Sequence, residues 1–390
     1  MCYDFDEIIE RRGTNSLKYD FARERGMPDD LLPLWVADMD FRTPREVTDA
    51  LAAKIAHGIF GYSEPKQPFF DALGAWFEKR HGWKCEPRNF IQTCGVVQAL
   101  ATLVRTLTRE GDAVLICQPV YYPFAGTIRA NGRRLVVSEL RETDGRYAVD
   151  FEDFERKIVE NGVKLFILCS PHNPVGRVWT REELERLGDV CLRHGVFVVS
   201  DEIHADFVYA PARHTVFASV KPEFEKNCVV CTAPTKTFNI AGLHIANMYV
   251  ADGALRRKIL RELDRQGYSQ SNVMGLVACR AAYEHGAPWL DALLAYLRGN
   301  VDFTRDFLRE RAPKIRFVEP EGTYLVWLDF RAFGLSDDAL RAKVVGEAKL
   351  WLDDGFIFGE GGNGFQRVNV ACPRATLRRA LERLAAAFAD

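Results

Sequence analysis

Residues 232–247 read TAPTKTFNIAGLHIAN and follow directly on the apolar run CVVC at residues 228–231. The apolar run predicts a buried strand, so Lys236 lies just beyond the end of that strand, among small, hydroxyl and apolar residues. Lysine is rarely buried without a partner, and no acidic residue occurs in the ten positions after Lys236. The stretch therefore predicts a partly buried lysine whose amine has a chemical role.

Similar apolar runs recur on both sides of this stretch, and most of them lack polar alternation. They are AVLIC (113–117), RLVVS (134–138), KLFILC (164–169), VFVVS (196–200), CVVC (228–231) and NMYV (247–250). Helical patterns separate several of them, near residues 98–109, 150–160 and 181–194. Apolar runs of this kind are typical of strands that helices bury on both faces. The sequence therefore predicts an α/β fold with a mainly parallel sheet.

The pattern changes after about residue 286. A long helical stretch at 288–311 leads to short strands near 315–318 and 324–328, and helices follow at 336–347 and 374–388. We interpret residues 46–286 as a large domain and residues 287–390 as a smaller α+β domain, which the N-terminal segment 1–45 joins.

Composition excludes several classes of function. The chain of 390 residues has a net charge of −2, so a nucleic-acid or anionic-membrane surface is not expected. The start MCYDFDEIIE lacks the features of a signal peptide, and no apolar run approaches the length of a membrane span. Ten cysteines at scattered spacings, with Cys228 and Cys231 interpreted as core residues, predict neither a disulfide scaffold nor a metal site. A cytoplasmic, metal-free protein is expected.

Chemically capable residues follow the first strands of the predicted sheet, where α/β proteins bind ligands. Gly95 precedes a helix whose first amides, from Val96 and Val97, can hold a phosphate. Tyr121, in QPVYYPF (118–124), offers a flat ring for stacking. A plain glycine turn before a core helix and simple aromatic packing are the alternative interpretations.

Further candidates follow the next strands. Asn173 lies in the rigid loop SPHNPVG (170–176), and Asp201 with His204 follows VFVVS. A buried aspartate is costly unless it meets a cation. Arg374, after RVNVA, has the fork that binds a carboxylate in two places. A bare turn, a helix N-cap and a surface salt bridge are the respective alternatives.

Together these residues suit one ligand, pyridoxal phosphate (PLP) carrying an amino acid. The chain resembles the fold-type I PLP enzymes of the class I/II aminotransferase superfamily, and within them the cystathionine β-lyase-like C–S lyases. The resemblance spans essentially the whole chain. It lies in LPLWVADMDF (32–41), GIFGYSEP (58–65), PVYYPF (119–124), CSPHNPVGRVWT (169–180), SDEIHADF (200–207), APTKTFNIAGL (233–243), EGTYLVWLDF (321–330) and VNVACPR (368–374).

The resemblance implies a role for each candidate residue. Lys236 would bind PLP covalently and act as a catalytic residue, and Tyr121 would stack on the ring. As a separate hypothesis about the mechanism, we expect Tyr121 to assist proton transfer. Asp201 would pair with the ring nitrogen. Asn173 would contact the ring's phenolic oxygen and the substrate, with His204 near that oxygen.

The same resemblance implies the remaining contacts. The phosphate would be surrounded by Gly95, Val96, Val97 and Thr235. Tyr62 would reach the phosphate of a neighbouring subunit, so a homodimer with shared active sites is implied. Arg374 would bind the α-carboxylate of the substrate.

Three positions depart from the family pattern. Cys94 replaces the usual proline before the glycine, and Thr235 replaces the serine before the lysine but keeps the hydroxyl. His244 stands eight residues after the lysine, where aminotransferases usually have a phosphate-binding arginine. This last departure weakens the aminotransferase interpretation.

The expected activity is therefore a β-elimination in cysteine and methionine metabolism. L-Cystathionine or a related S-substituted cysteine would give a thiol such as homocysteine, pyruvate and ammonia. A thiolate leaves readily because the pKa of a thiol is only about 8.5. The alternatives are an amino acid aminotransferase and, less favoured, a regulatory binding protein on the same fold.

Overall fold

The computed structural model describes residues 3–389. Met1, Cys2 and Asp390 lie outside the described residues, and Met1 and Cys2 are the first two residues of the stretch that was inspected for a signal peptide. Its strands are β1 (Leu32–Pro33), β2 (Phe90–Thr93), β3 (Ala113–Gln118), β4 (Arg134–Thr143), β5 (Arg146–Val149), β6 (Leu165–Cys169), β7 (Phe197–Asp201), β8 (Cys228–Thr232), β9 (Ala246–Tyr249), β10 (Arg316–Val318), β11 (Leu325–Asp329), β12 (Leu350–Trp351), β13 (Asp353–Asp354) and β14 (Phe365–Asn369).

Helices lie between these strands and cover them. They are α1 (Arg45–His57), α2 (Gln67–His81), α3 (Val96–Leu107), α4 (Pro123–Ala130), α5 (Phe151–Asn161), α6 (Arg181–Arg193), α7 (Pro222–Lys226), α8 (Pro234–Thr237), α9 (Gly253–Arg265), α10 (Val273–His285), α11 (Ala287–Arg311), α12 (Asp337–Gly346) and α13 (Arg374–Ala387).

The predicted α/β fold is confirmed. Eight strands form one sheet in the order β2-β9-β8-β7-β6-β3-β4-β5. The neighbours β8-β7-β6-β3-β4 are all parallel, whereas β9 and β5 run antiparallel to their neighbours. The order of β3, β6, β7 and β8 places the carboxyl ends of these strands side by side, which is where the candidate residues were expected.

The apolar strands are buried on both faces, as their sequences predicted. Along β6, Leu165 and Ile167 belong to one core cluster, whereas Phe166 and Leu168 belong to the cluster on the opposite face. This alternation follows from the two-residue period of a strand. Cys228 and Cys231 on β8 are buried free thiols in this core, in agreement with their interpretation as core residues.

A second, antiparallel sheet has the order β10-β11-β14-β13, and β1 pairs with β12 in parallel. The division of the chain at residues 45 and 286 stays a prediction. No helix within residues 3–389 combines the length and the hydropathy that crossing a bilayer requires. Within the same residues, no group of three or more histidine, cysteine, aspartate or glutamate side chains is arranged to hold a metal ion.

Candidate active site

Lys236 lies in α8, the short helix that follows β8, and its side chain is only partly exposed. Its Nζ donates a hydrogen bond of 2.7 Å to the backbone oxygen of Ala37. Burial lowers the pKa of Lys236 to about 8, although the charges of Asp38 and Asp201 oppose the effect. The amine has a carbonyl oxygen rather than a carboxylate as its hydrogen-bond partner, so its neutral form is accessible near neutral pH.

Asp201 ends β7, the strand beside β8, and is buried. Its Oδ1 accepts a 3.1 Å hydrogen bond from the backbone N–H of Ile203. Burial raises the pKa of Asp201 to about 7, and Glu202 adds to the rise while Lys236 opposes it. A buried carboxylate with so little compensation is suited to a cationic ligand group, because such a group would restore its charged form.

His204 follows Asp201 by three residues and is also buried. Its Nδ1 has no hydrogen-bond partner within residues 3–389. Burial, together with the charges of Lys236 and Arg367, lowers the pKa of His204 to about 3, so the imidazole is neutral. An unpartnered buried nitrogen at this place fits a site that is completed by a ligand.

Asn173 and Arg367 form a buried pair near Lys236. The Asn173 Oδ1 accepts a 2.9 Å hydrogen bond from Nη1 of Arg367, whose Nη2 donates to the backbone oxygen of Trp35 at 2.9 Å and to Asp353. The Nε of Arg367 is buried and has no partner within the described chain. This guanidinium is thus held firmly and retains an unused donor.

Within residues 3–389, no hydrogen bond or ion pair joins Arg374 to this group, so the structure does not support its predicted binding of the substrate carboxylate. It is the first residue of α13, and its Nε donates to Asn300 at 2.6 Å. Its guanidinium lies 4.8 Å from the ring centre of Phe303, and its backbone N–H donates to Tyr296. The contacts of its side chain are thus made to residues of α11, whereas Arg367, on β14, contacts Asn173.

The N-terminus of α3 has the properties of a phosphate site. No side chain caps the helix, so the first amides are left for a ligand. A Cβ added to Gly95 would meet no atom within 4 Å, which shows open space in front of this end. Gly95 has a φ of 167°, which is extended backbone that any residue can adopt. The open space beside Gly95, and not its backbone conformation, is therefore what suits a phosphate. Val96, Val97 and Thr235 stay predicted phosphate contacts.

The two candidate tyrosines differ in their surroundings. Tyr121 is partly buried, and burial raises its pKa, with smaller effects from Tyr122, Asp201 and Arg367. Tyr121 therefore lies within electrostatic reach of the groups described above. Tyr62, in contrast, is 95% exposed and lines a surface groove with His244. Its predicted contact with a neighbouring subunit's phosphate stays a prediction.

The sequence reasoning missed three contributors to the site. The backbone oxygen of Ala37 accepts from both Lys236 and Tyr324, the latter at 3.0 Å. Ala37 lies in WVADMDF and Tyr324 in EGTYLVW, two stretches that carry the family resemblance, but the sequence reasoning assigned no role to either residue. The third is Arg367, which directly precedes the quoted stretch VNVACPR.

Buried ion pairs anchor the segment that carries Ala37. Lys18 is fully buried, and its Nζ lies 2.9 Å from Asp40. Arg11 contacts Asp38 at 2.6 Å and Asp40 at 2.7 Å. Burial alone would raise the pKa of Asp40, but the nearby cations of Lys18 and Arg11 hold this pKa below its usual value. These pairs fix the backbone that receives the Lys236 amine.

We expect Lys18→Ala to lower the free energy of unfolding by about 3 kcal/mol, because it leaves a buried carboxylate with less compensation. Urea denaturation of the ligand-free protein measures this change. The matched control is Lys84→Ala, which removes the exposed pair with Glu78 and should cost less than about 1 kcal/mol. Equal losses in the two variants would contradict the anchoring role of Lys18.

Comparison with known proteins shows the family to which the chain belongs. The model for the family "Aminotransferase class I and II" matches residues 29–384. Cystathionine beta-lyase PatB of Bacillus subtilis is 46% identical over 385 residues, which cover 99% of this chain and 100% of that protein. Aspartate aminotransferase of Geobacillus stearothermophilus is 28% identical, over 91% of this chain and 90% of that protein. The PLP-bound C–S lyase of Staphylococcus hominis superimposes with a TM-score of 0.94 at 32% identity, over 100% and 99% of the two chains.

Proposed function

Because the chain belongs to the family of class I and II aminotransferases, and is most like the C–S lyases among the relatives described above, we propose that it is a PLP-dependent carbon–sulfur β-lyase. Its substrates are L-cystathionine or related S-substituted L-cysteines, and its products are a thiol, pyruvate and ammonia. The observation that carries this proposal is the Lys236 amine, with a pKa of about 8, in the short helix that follows β8, the strand beside the one that Asp201 ends.

The residues of the site fit PLP. Asp201 would hold the protonated ring nitrogen, Asn173 the phenolic oxygen and the open N-terminus of α3 the phosphate. When bound, PLP withdraws electrons from the α-carbon of the substrate and so makes its proton acidic. Bound PLP would explain two features of the structure. These are the buried, poorly compensated carboxylate of Asp201 and the open space at Gly95.

The protein then has to hold the substrate and to move one proton. Arg367 binds the α-carboxylate, since its Nε is unused and Asn173 fixes its orientation. Lys236 takes the α-proton as a neutral amine, because its pKa of about 8 leaves a useful fraction unprotonated near neutrality. The Ala37 oxygen holds the amine in place before and after the transfer.

Three features of the chain and of its expected substrate favour elimination over transamination. The chain is 46% identical to a cystathionine β-lyase and 28% identical to an aspartate aminotransferase, with nearly full coverage of both. His244, where aminotransferases carry an arginine, is exposed. Thiolates are also good leaving groups and need little acid assistance.

The test is an assay with an S-substituted cysteine and no added keto acid. Pyruvate and free thiol should form in equal amounts over many turnovers. Conversion of no more than one substrate per chain, with further turnover only after a keto acid is added, would identify an aminotransferase instead. A panel of S-substituents then defines the thiol that the site prefers.

The lysine also predicts how PLP capture depends on pH. Only the neutral amine attacks an aldehyde, so the rate of PLP capture by the ligand-free protein should rise with pH up to about 8 and then level off. Stopped-flow absorbance at a series of pH values measures this rate. A rate that keeps rising up to about pH 10 would show an ordinary lysine pKa and would contradict the effect of burial.

A homodimer with shared active sites completes the proposal. Its support is the segment between α1 and α2, where Ile59 is 65%, Phe60 57% and Tyr62 95% exposed. Exposed apolar side chains in a row are typical of an interface. Light scattering tests the dimer.

Co-expression of Lys236→Ala and Tyr62→Ala chains tests the sharing of sites. A hybrid dimer then contains one intact site, so its activity should exceed that of the Tyr62→Ala homodimer. If the hybrid is no more active than that homodimer, Tyr62 does not serve its neighbour.

A further inference from the structure

A surface pocket of about 470 Å³ lies where the end of α2 meets the segment 205–214 and α11. Four basic side chains contribute to its lining, namely Arg80, His81, Arg213 and His214. None of the residues proposed above to bind PLP or the substrate lines it. The pocket is therefore separate from the active site.

His214 is the most informative of these side chains because only 9% of it is exposed. Its Nε2 lies 2.8 Å from Oε2 of Glu202. Its Nδ1 is buried without a hydrogen-bond partner within residues 3–389. Buried nitrogens without partners are rare and costly, so the atom indicates a partner that the protein itself does not supply.

The two arginines also have unused donors. Nη1 of Arg80 pairs with Asp291 at 2.7 Å, but its Nη2 is buried without a partner in the described chain. Arg213 is exposed, and no hydrogen bond or ion pair of residues 3–389 involves it. Two guanidinium groups with unused N–H donors thus lie in the lining of one small pocket, beside a buried imidazole whose Nδ1 has no partner within residues 3–389.

The neighbouring carboxylates do not use up these donors. Asp206 accepts hydrogen bonds from Trp76, His81 and Thr237. Glu202 accepts from the Ser200 hydroxyl and the Phe217 amide in addition to its bond with His214. Both carboxylates are therefore occupied by other protein donors, and neither accepts from Arg80 or Arg213 within residues 3–389.

We propose that this pocket is a second binding site, for a small oxyanion of the carboxylate or phosphoryl class. Arg80 and Arg213 supply charge, and guanidinium groups suit the paired oxygens of such ligands. His214 donates through Nδ1. Since its Nε2 donates to Glu202, Nδ1 carries a proton only in the imidazolium form, so the anion binds together with a proton.

The site touches the helix that carries the reactive lysine. Asp206, which lines the pocket, accepts a 2.8 Å hydrogen bond from Thr237, the residue after Lys236. The groups that face His214 and can affect its protonation are Glu202, His81, Asp206 and the arginines at positions 80 and 213.

Calorimetric titration of the PLP-loaded protein with sulfate tests the proposal, since sulfate keeps its charge over the relevant pH range. At about pH 6 and low ionic strength, one sulfate per chain should bind. Arg213→Ala should weaken this binding about tenfold or more, because a charge-assisted contact is lost. Affinity should fall as the pH rises, because the anion binds together with a proton.

The matched control is Arg261→Ala, which removes an arginine on α9 that is exposed and unpaired within the described residues, and should leave sulfate binding unchanged. Arg367→Lys should also leave it unchanged, since that residue belongs to the active site. His214→Gln retains an N–H for Glu202 but has no second ring nitrogen, so it should weaken binding and remove the pH dependence. Separate titrations with acetate and phosphate distinguish the two ligand classes.

Three results would overturn the proposal. The first is no sulfate binding to the wild-type protein at about pH 6. The second is unchanged binding in Arg213→Ala, a variant expected to fold because the side chain is exposed and makes no hydrogen bond or ion pair within residues 3–389. The third is a loss of binding in Arg367→Lys, which would place the sulfate in the active site.

Discussion

Replacing Lys236 with alanine should lower the rate of pyruvate formation about a thousandfold or more while the protein stays folded. The variant loses the amine that takes the substrate proton, and positioned bases commonly contribute factors of this size. It also loses the group to which PLP is attached. The free energy of unfolding should change little. The variant loses the hydrogen bond to the Ala37 oxygen, but it also avoids the desolvation cost of burying the Lys236 amine.

A coupled pyruvate assay and urea denaturation give the two measurements. The matched control is Lys221→Ala, which removes a lysine paired with Glu185 and Asp189 near the surface and should keep full turnover. If Lys236→Ala retained more than about a tenth of wild-type turnover, the assignment of the base would be wrong. A large loss of stability would instead show that the amine has a structural role.

Arg367→Ala should have the second large effect, on substrate binding and on stability together. Loss of a charge-assisted contact to the α-carboxylate should lower kcat/KM by about tenfold to a hundredfold, chiefly through KM. The change also leaves the buried Asp353 without its cation, which should cost about 3 kcal/mol of unfolding free energy. Steady-state kinetics and urea denaturation measure the two effects separately.

Arg374→Ala is the control, because the structure places this arginine on α13 against Asn300 and Phe303. Its kcat/KM should stay within about a factor of three of the wild type, which corresponds to a change of less than about 1 kcal/mol. Arg367→Lys separates charge from geometry, since lysine keeps the charge but cannot form the guanidinium fork. A loss of substrate affinity in Arg374→Ala but not in Arg367→Ala would contradict the observed site.

The strands and their edge residues could be predicted because parallel strands buried on both faces have continuous apolar sequences. Once the runs at 164–169, 196–200 and 228–231 were identified as neighbouring strands, the residues that follow them were expected at one edge. Asn173, Asp201 and Lys236 do follow β6, β7 and β8.

The choice between Arg367 and Arg374 could not be made in this way. Arg367 lies inside β14, where its partners are Trp327 on β11 and Asp353 on β13. Its position depends on the register of three strands that are distant in sequence. Arg374 begins a helix only seven residues later, and local sequence does not show which of the two faces the site.

The contact between Ala37 and Lys236 could not be predicted for a related reason. The acceptor is a backbone oxygen, which every residue has, and it comes from a segment 199 residues away. The acids and bases that hold this segment, Asp38, Asp40, Arg11 and Lys18, appear in the sequence as ordinary charged residues. Only the packing of the N-terminal segment shows that they hold the backbone that accepts the hydrogen bond of Lys236.

The central claim is that Lys236 is the residue to which PLP is attached. Borohydride reduction of the PLP-loaded protein, followed by proteolysis and mass spectrometry, tests it most directly. The account predicts a pyridoxyl modification on the peptide that contains Lys236, with one group per chain, and none at this peptide in Lys236→Ala. A modification on another lysine, or full turnover in a protein with no modified lysine, would contradict it.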